Sequence, residues 1–496
     1  MSTSSDFHNG SDLATLLQSM DPNTLEHKVN ALVKASRLQK LLEAGTSDTL
    51  AEMNITGDLT YTREMLSIPD PGQAIKSSGY TLDPHVPPFT VVQYNILANE
   101  LATPKHFPYV KPEYLRWIYR RALIARDMLR TNIRRGGSDI IVAQELSNYH
   151  DFFQPELEKY GFNSAFYARH SMTCSSWSGF FKRDGCGVFF KRDRFTLADS
   201  QGINYADRHD RVAFFVLLRD NEASKRGLKR YVLVVTTHLY WDSTAIEDQK
   251  EELRQLELRY QQFLVHALAR INAQLAAEST TEGAPAPHVS PLDIAVVLCG
   301  DFNSTPGGPI YRFTTKNLLQ NVREEVQVEL EREFKDTLPS VVARAGFDSL
   351  QTLLNATTVR FQSSYASFRK LSPSTKRPDG GPDSPKTVVD TSEEFATFTD
   401  ATQNANIKGS TDASSEEALG ADEPPYTTIT LRRNECIDYI FYASPAPLPS
   451  GQRPLRLQPI EILDLPPATE LGKIPNERTG SDHMPLATTF AYAISE

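Results

Sequence analysis

The chain has 496 residues, 40% of them hydrophobic and 23% charged, with a formal net charge of -10. These proportions suit a globular protein with one large core and appendages, and no apolar run is long enough to span a bilayer. The polar, acidic start, MSTSSDFHNGSD, has neither the apolar stretch of a secretory signal nor the Arg-rich character of a mitochondrial presequence, which predicts residence in the cytosol or nucleus. The acidity is unevenly spread. Residues 1–85 hold 11 acidic and 6 basic side chains, and residues 366–423 hold 11 and 6 again, so the remainder is balanced and a polyanionic substrate is not excluded.

In chain order, residues 1–85 read as a helical, acidic N-terminal extension, with Leu25, Val29, Leu32 and Val33 at helical spacing. From Phe89 the pattern turns to short β-branched runs: FTVVQYNIL, DIIVAQE, CGVFFK, RVAFFVLL, YVLVVTTHL, DIAVVLCGD, CIDYIFY and PLATTFAY. Several are apolar throughout, as strands buried on both faces are. Two helical stretches interrupt them. In Lys111–Arg135 the residues Leu115, Ile118, Ala122, Leu129 and Ile133 form one face, with the arginines read as a solvated face. In Thr244–Ser279, Leu253, Leu256, Phe263, Leu264 and Leu268 do the same. Residues 366–423, rich in Ser, Thr, Pro, Gly and Asp, read as a disordered insertion in a core of residues 86–496. The four cysteines show no metal spacing and read as buried thiols. Residues 174–194 interleave aromatic and basic side chains, which suits either a single-strand channel or a strand flank with solvated charges.

The chemistry lies where the strands stop. Apolar runs end in Asn95, Glu145, His238, Asp301 with Asn303, and Asp438, and Asp482-His483 stand just before the last run. A buried carboxylate is costly without a cation or hydrogen bonds, so convergence of these ends on one rim is the economical arrangement. Carboxylates hold a hard divalent cation through oxygen, while histidines and amides donate to phosphate oxygens. Taken singly, each motif is more often a turn or cap. Their joint order points to metal-assisted phosphodiester hydrolysis.

In order, YNIL (94–97), QE (144–145), DGCGVFFK (184–191), TTHLYWD (236–242), CGDFNSTP (299–306), IDYIFY (437–442) and SDHMPL (481–486) resemble the exonuclease/endonuclease/phosphatase superfamily. More narrowly they resemble its carbon-catabolite-repression type of poly(A) deadenylase, with nocturnin and Angel as relatives. The resemblance implies an α/β fold, a four-layer α/β/β/α sandwich of the DNase I kind. It implies a magnesium-dependent 3′-to-5′ exoribonuclease that shortens poly(A) tails of mRNA, with one or two Mg2+ ions and Mn2+ as a substitute. The alternative is a nucleotide or RNA-end phosphatase of the nocturnin or Angel kind. The partner expected is single-stranded RNA with adenine-rich 3′ tails, with no membrane and no leucine-rich docking module. Glu145, Asn95 and Asp482 would hold metal. Asp301 would act on the attacking water, Asn303 would contact the phosphate, His238 and His483 would stabilise its charge, and Asp438 would support His483. Arg433 and Arg211 depart from the deadenylase pattern, standing where it often has Phe and Asn, and with Trp241 and Asn303 they are expected to contact substrate. A non-catalytic scaffold fits less well, since no metal or phosphate residue is missing.

Overall fold

The computed structural model describes residues 63–169, 184–206, 209–278, 288–317, 322–373, 419–445 and 454–495. The strands in the first part of the chain are β1 (Met65–Ser67), β2 (Tyr80–Leu82), β3 (Phe89–Asn95), β4 (Ile140–Gln144), β5 (Phe162–Ala168) and β6 (Gly185–Lys191). They are followed by β7 (Phe195–Asn204), β8 (Val212–Asp220), β9 (Tyr231–His238), β10 (Ile294–Asp301) and β11 (Val359–Ser363). A small hairpin, β12 (Thr428–Ile429) with β13 (Asn434–Glu435), precedes β14 (Asp438–Pro445), β15 (Arg456–Leu463) and β16 (Leu486–Ser495).

One sheet runs β1-β15-β16-β3-β4-β6-β5, with β2 also on β16, and the other runs β11-β14-β10-β9-β8-β7. Each has one parallel pair at its heart, β3 with β4 and β9 with β10, and antiparallel neighbours on both sides. Side chains alternate across a strand, and here both faces are covered. In β10, Ala295, Val297 and Cys299 enter the core between the sheets, whereas Val296 and Leu298 face a second core built with the Ile246–Glu278 helix. In β3, Val91 belongs to the inter-sheet core, and Val92 and Tyr94 to a third that includes Ile124 and Met128 of the Trp117–Leu129 helix. Three cores between four layers give the α/β/β/α sandwich. The apolar runs are continuous because neither face of the central strands meets water.

The structure departs from the sequence reading in several places. The Lys111–Arg135 stretch is broken at Arg116, whose backbone is extended (φ -64°, ψ 136°), and the break resets the helical phase. The Trp117–Leu129 helix therefore buries Leu123, Ile124 and Met128 instead of Ile118, Ala122 and Leu129. Arg120 is not solvated. It is fully buried, donating from Nε to the Gly480 carbonyl (2.6 Å) and from Nη2 to that of Ile96 (2.8 Å), so it ties the loop after β3 to the loop before β16.

Residues from Met65 onward pair with β15 and β16, ahead of the boundary drawn after residue 85. Three-residue strands are too short to show a period. The ends of the 366–423 stretch also pack into the fold, with Phe368 buried and Glu423 accepting from Tyr311 Oη (2.7 Å). The helical pattern at 25–33 and the middle of the insertion lie outside the described residues. Cys186, Cys299 and Cys436 are buried free thiols, and Cys174 lies outside the described residues. No described helix is long and apolar enough to cross a membrane.

Candidate active site

Strand register places the polar ends. Asp301, last in β10, lies opposite His238, last in parallel β9, and opposite Asp438, first in antiparallel β14. His238, Asp301 and Asp438 thus form a row along one edge of the second sheet. Gly300 lets this row close up, because a Cβ there would press on the Thr237 carbonyl oxygen. In the first sheet Asn95 ends β3 opposite Gln144, the residue before Glu145. His483 precedes β16, whose first residue Leu486 lies opposite Gln93. The two edges meet: Asn95 Nδ2 donates to Asp301 Oδ2 (3.0 Å) and to Glu145 Oε1 (3.3 Å).

Two of these residues have left-handed backbones, Glu145 (φ 52°) and Asn303 (φ 48°). Asn tolerates that region, but Glu does so at a cost of about 1–3 kcal/mol, and such strain collects at functional sites. The turn at Glu145 is held by the Ala98 N–H donating to Oε2 (2.8 Å) and by the Leu146 N–H donating to the Gly185 carbonyl (3.0 Å).

Asp438 is a fully engaged carboxylate. Gln93 Nε2 donates to Oδ1 (2.8 Å), and Thr427 Oγ1 (2.5 Å) and His483 Nδ1 (2.8 Å) approach Oδ2. A carboxylate only accepts, so His483 carries its proton on Nδ1 and turns Nε2 towards Asp301 Oδ2, 3.7 Å away. Burial works against the imidazolium, but Asp438, Asp482 and Asp301 outweigh it and hold His483 well above the usual histidine range.

His238 is wired the other way. Arg169, one residue beyond β5, brings Nη2 within 3.3 Å of His238 Nδ1. A guanidinium only donates, so Nδ1 accepts and the proton sits on Nε2, 3.5 Å from Asp301 Oδ2. Burial first, then Arg211 and Arg169, push His238 well below its usual range, leaving it neutral. Asp301, between the two rings and 2% exposed, is pushed up to about 7 by burial and then by Asp438.

Asp301, Asp438 and His483 bring potential metal-ligand atoms within 4.8 Å of one another. Since three donors already occupy Asp438, the less engaged carboxylates suit a cation better. Glu145 meets His238 Nδ1 only at 3.8 Å, and Asp482 meets His483 Nε2 at 4.0 Å. Burial raises Asp482; the His483 imidazolium opposes that rise and Glu145 adds to it, so a second carboxylate acts on Asp482 beside the imidazolium. That oxygen-rich set fits a hard divalent ion. Asn95 presents its N–H to the carboxylates, while its Oδ1 accepts from Leu97 N–H (3.1 Å).

Of the expected substrate contacts, Arg433 reaches the site through Asn303, donating from Nη1 to Asn303 Oδ1 (2.6 Å) and from Nη2 to the Trp241 carbonyl (2.5 Å). The Trp241 ring is 58% exposed beside it. Arg211 is buried next to His238. Residues 174–183 of the aromatic and basic segment lie outside the described residues. Two of its described cations are structural: Lys191 donates to the Tyr160 carbonyl (2.7 Å) and Arg194 pairs with buried Asp220 (2.8 Å). Sequence reading passed over Arg169, Gln93 and Thr427. Gln93 had a legible signal, a polar residue inside an apolar strand, whereas Arg169 and Thr427 sit in segments with no pattern.

The chain is 28% identical over 416 residues to Carbon catabolite repressor protein 4 homolog 3 of Arabidopsis thaliana, covering 82% of this chain and 75% of that protein. It is 28% identical over 289 residues to the CCR4-Not complex 3′-5′-exoribonuclease subunit Ccr4 of Aspergillus clavatus, covering 51% of this chain and only 41% of that protein. Among solved structures, the human Nocturnin catalytic domain with bound sulfate aligns at TM-score 0.44 and 19% identity, over 87% of this chain and 97% of that one. ANGEL2, a 2′,3′-cyclic phosphatase, aligns at TM-score 0.46 and 18% identity, over 88% and 100%. The endonuclease/exonuclease/phosphatase family profile matches residues 92–483, a span that takes in every polar strand end from Asn95 to His483, and the chain is an enzyme of that family.

Proposed function

We propose that the chain is a magnesium-dependent 3′-to-5′ exoribonuclease that shortens adenine-rich RNA tails. The observation that carries this reading is Asp301, buried between a charged and a neutral imidazole, with the Asp482 carboxylate 4.0 Å from the first ring and the Glu145 carboxylate 3.8 Å from the second. The relatives named as exoribonucleases support RNA as the substrate.

Glu145 and Asp482 would hold Mg2+, or Mn2+ in its place. When bound, the ion polarises the scissile phosphoryl oxygen and offsets its developing charge. Asp301, poised near neutrality, takes the proton of the attacking water. His483 Nε2–H, charged and backed by Asp438, and the neutral His238 Nε2–H donate to the non-bridging oxygens. Asn303 has one amide hydrogen engaged by the Leu239 carbonyl (3.1 Å), which leaves the other for phosphate. Arg433 fixes that amide's orientation, and exposed Trp241 offers a face for a terminal base.

The test is a pair of RNAs with 5′ labels, one tailed with adenine and one with uridine, incubated with Mg2+ beside a phosphate-release assay. A ladder shortening from the 3′ end, faster on adenine, is expected. Phosphate release without a ladder would replace this reading with an RNA-end phosphatase.

A further inference from the structure

Beyond His238, on the side away from Asp301, two guanidinium groups come together, that of Arg211 and that of the Arg169 which sets the His238 tautomer. Arg211 precedes β8, which runs antiparallel to β9 with Ala213 opposite Thr237, so Arg211 lies on the same sheet edge as His238. It is 7% exposed, yet neither Nε nor Nη1 has a hydrogen-bond partner among the described residues. Burying a guanidinium without partners is costly. Arg169 converges on the same place from the first sheet, between His238 Nδ1 (3.3 Å) and Asp184 Oδ2 (2.9 Å). Three carboxylates lie near the pair: Asp184 is shared with Arg169, Glu252 accepts from the Tyr240 N–H (2.9 Å), and Glu145 acts on Arg211 less strongly than Arg169 does.

A guanidinium with two unused donors, beside a second guanidinium, is a site for a phosphate. His238 separates that site from the reacting one, since its Nδ1 faces Arg169 and its Nε2 faces Asp301. We propose that Arg211, with Arg169, binds the phosphodiester next to the scissile one, on the retained strand of a single-stranded RNA. The inference rests on the exoribonuclease reading above. It makes a substrate with at least two linkages the preferred one, because a dinucleotide has no second phosphate to offer.

The experiment uses adenine-tailed RNAs in which the last linkage is cut and the penultimate one is either a phosphodiester or a neutral methylphosphonate. Losing a charge-assisted contact should lower the first-cleavage kcat/KM of the wild-type enzyme about tenfold. Arg211→Gln should be about tenfold weaker on natural RNA and indifferent to the methylphosphonate. An equal methylphosphonate penalty in both proteins, or none in the wild type, overturns the proposal. Should Arg211→Gln fail to fold, the wild type alone decides: moving the methylphosphonate further from the 3′ end should restore the rate, and a penalty that does not depend on position overturns the subsite. Anisotropy of the same labelled RNAs in EDTA reads binding without turnover. Discrimination there without any cleavage would sink the exoribonuclease reading and leave the anion site standing. Cleavage without discrimination would do the reverse.

Discussion

His483 and His238 end within 3.7 and 3.5 Å of the same carboxylate oxygen of Asp301, yet their surroundings are opposite in sign. His483 leans on Asp438 and is held charged, whereas His238 accepts from Arg169 and is held neutral. The difference teaches that the partner of the far ring nitrogen decides what the near one presents. One ring offers a cationic donor and the other a neutral donor, both aimed at one place. A pair of like imidazolium groups flanking a carboxylate would instead repel each other and compete for it.

The comparison breaks most sharply at Asp438. Asp438→Asn keeps the shape but removes the charge that holds His483, and kcat should fall by about 10²–10⁴ while KM stays close to wild type. Single-turnover rates check this, and a loss confined to KM would contradict it. Arg169→Gln attacks the other ring. It frees the His238 tautomer and removes the cation beside Arg211 while His483 keeps its charge, so about a tenfold loss is expected, smaller than at Asp438. Equal losses at the two positions would erase the asymmetry.

Removing divalent metal with EDTA should abolish turnover, and Mg2+ should restore it. Mg2+ should also raise the melting temperature of the wild type and do so far less in Glu145→Gln, since a ligand stabilises only the state that binds it. A shift of equal size in both proteins would move the metal away from Glu145.

The smallest effect lies far from the chemistry, at Glu257 on the Ile246–Glu278 helix. Its carboxylate is fully buried, has no hydrogen-bond partner among the described residues, and is pushed up to about 9 by burial and then by Glu325. The folded protein keeps this proton while the unfolded chain releases it near pH 4, so stability is lost as pH rises from that point towards 9. Glu257→Gln should flatten the decline and recover on the order of 2–3 kcal/mol near pH 7, read by denaturation across pH with activity unchanged. An unaltered pH slope would show that Glu257 is solvated.

How much of this was legible in the sequence follows from burial. The central strands β3, β4, β9 and β10 are apolar on both faces and ended in the residues that form the site. Of the strands missed, β5, β7, β11 and the short β1 are sheet edges whose patterns mix buried and exposed positions, as in the alternating β11, and β15, though paired on both sides, mixes buried and half-buried ones. Residue types at strand ends were visible, but their wiring was not. That Asp438 holds His483 while Arg169 holds His238 depends on register between strands far apart in the chain. Arg120 shows the same limit: an arginine in an amphipathic helix reads as solvated until two loops close over it.

The central claim is that the converged strand ends form one hydrolytic site acting on RNA from its 3′ end. The most direct measurement is a time course on an RNA with a 5′ label and an adenine tail, in Mg2+, for wild type and His483→Ala side by side. The account predicts a ladder that shortens from the 3′ end with the wild type and slows by at least about 10²-fold with the variant. A variant that makes the same ladder at the wild-type rate would contradict it.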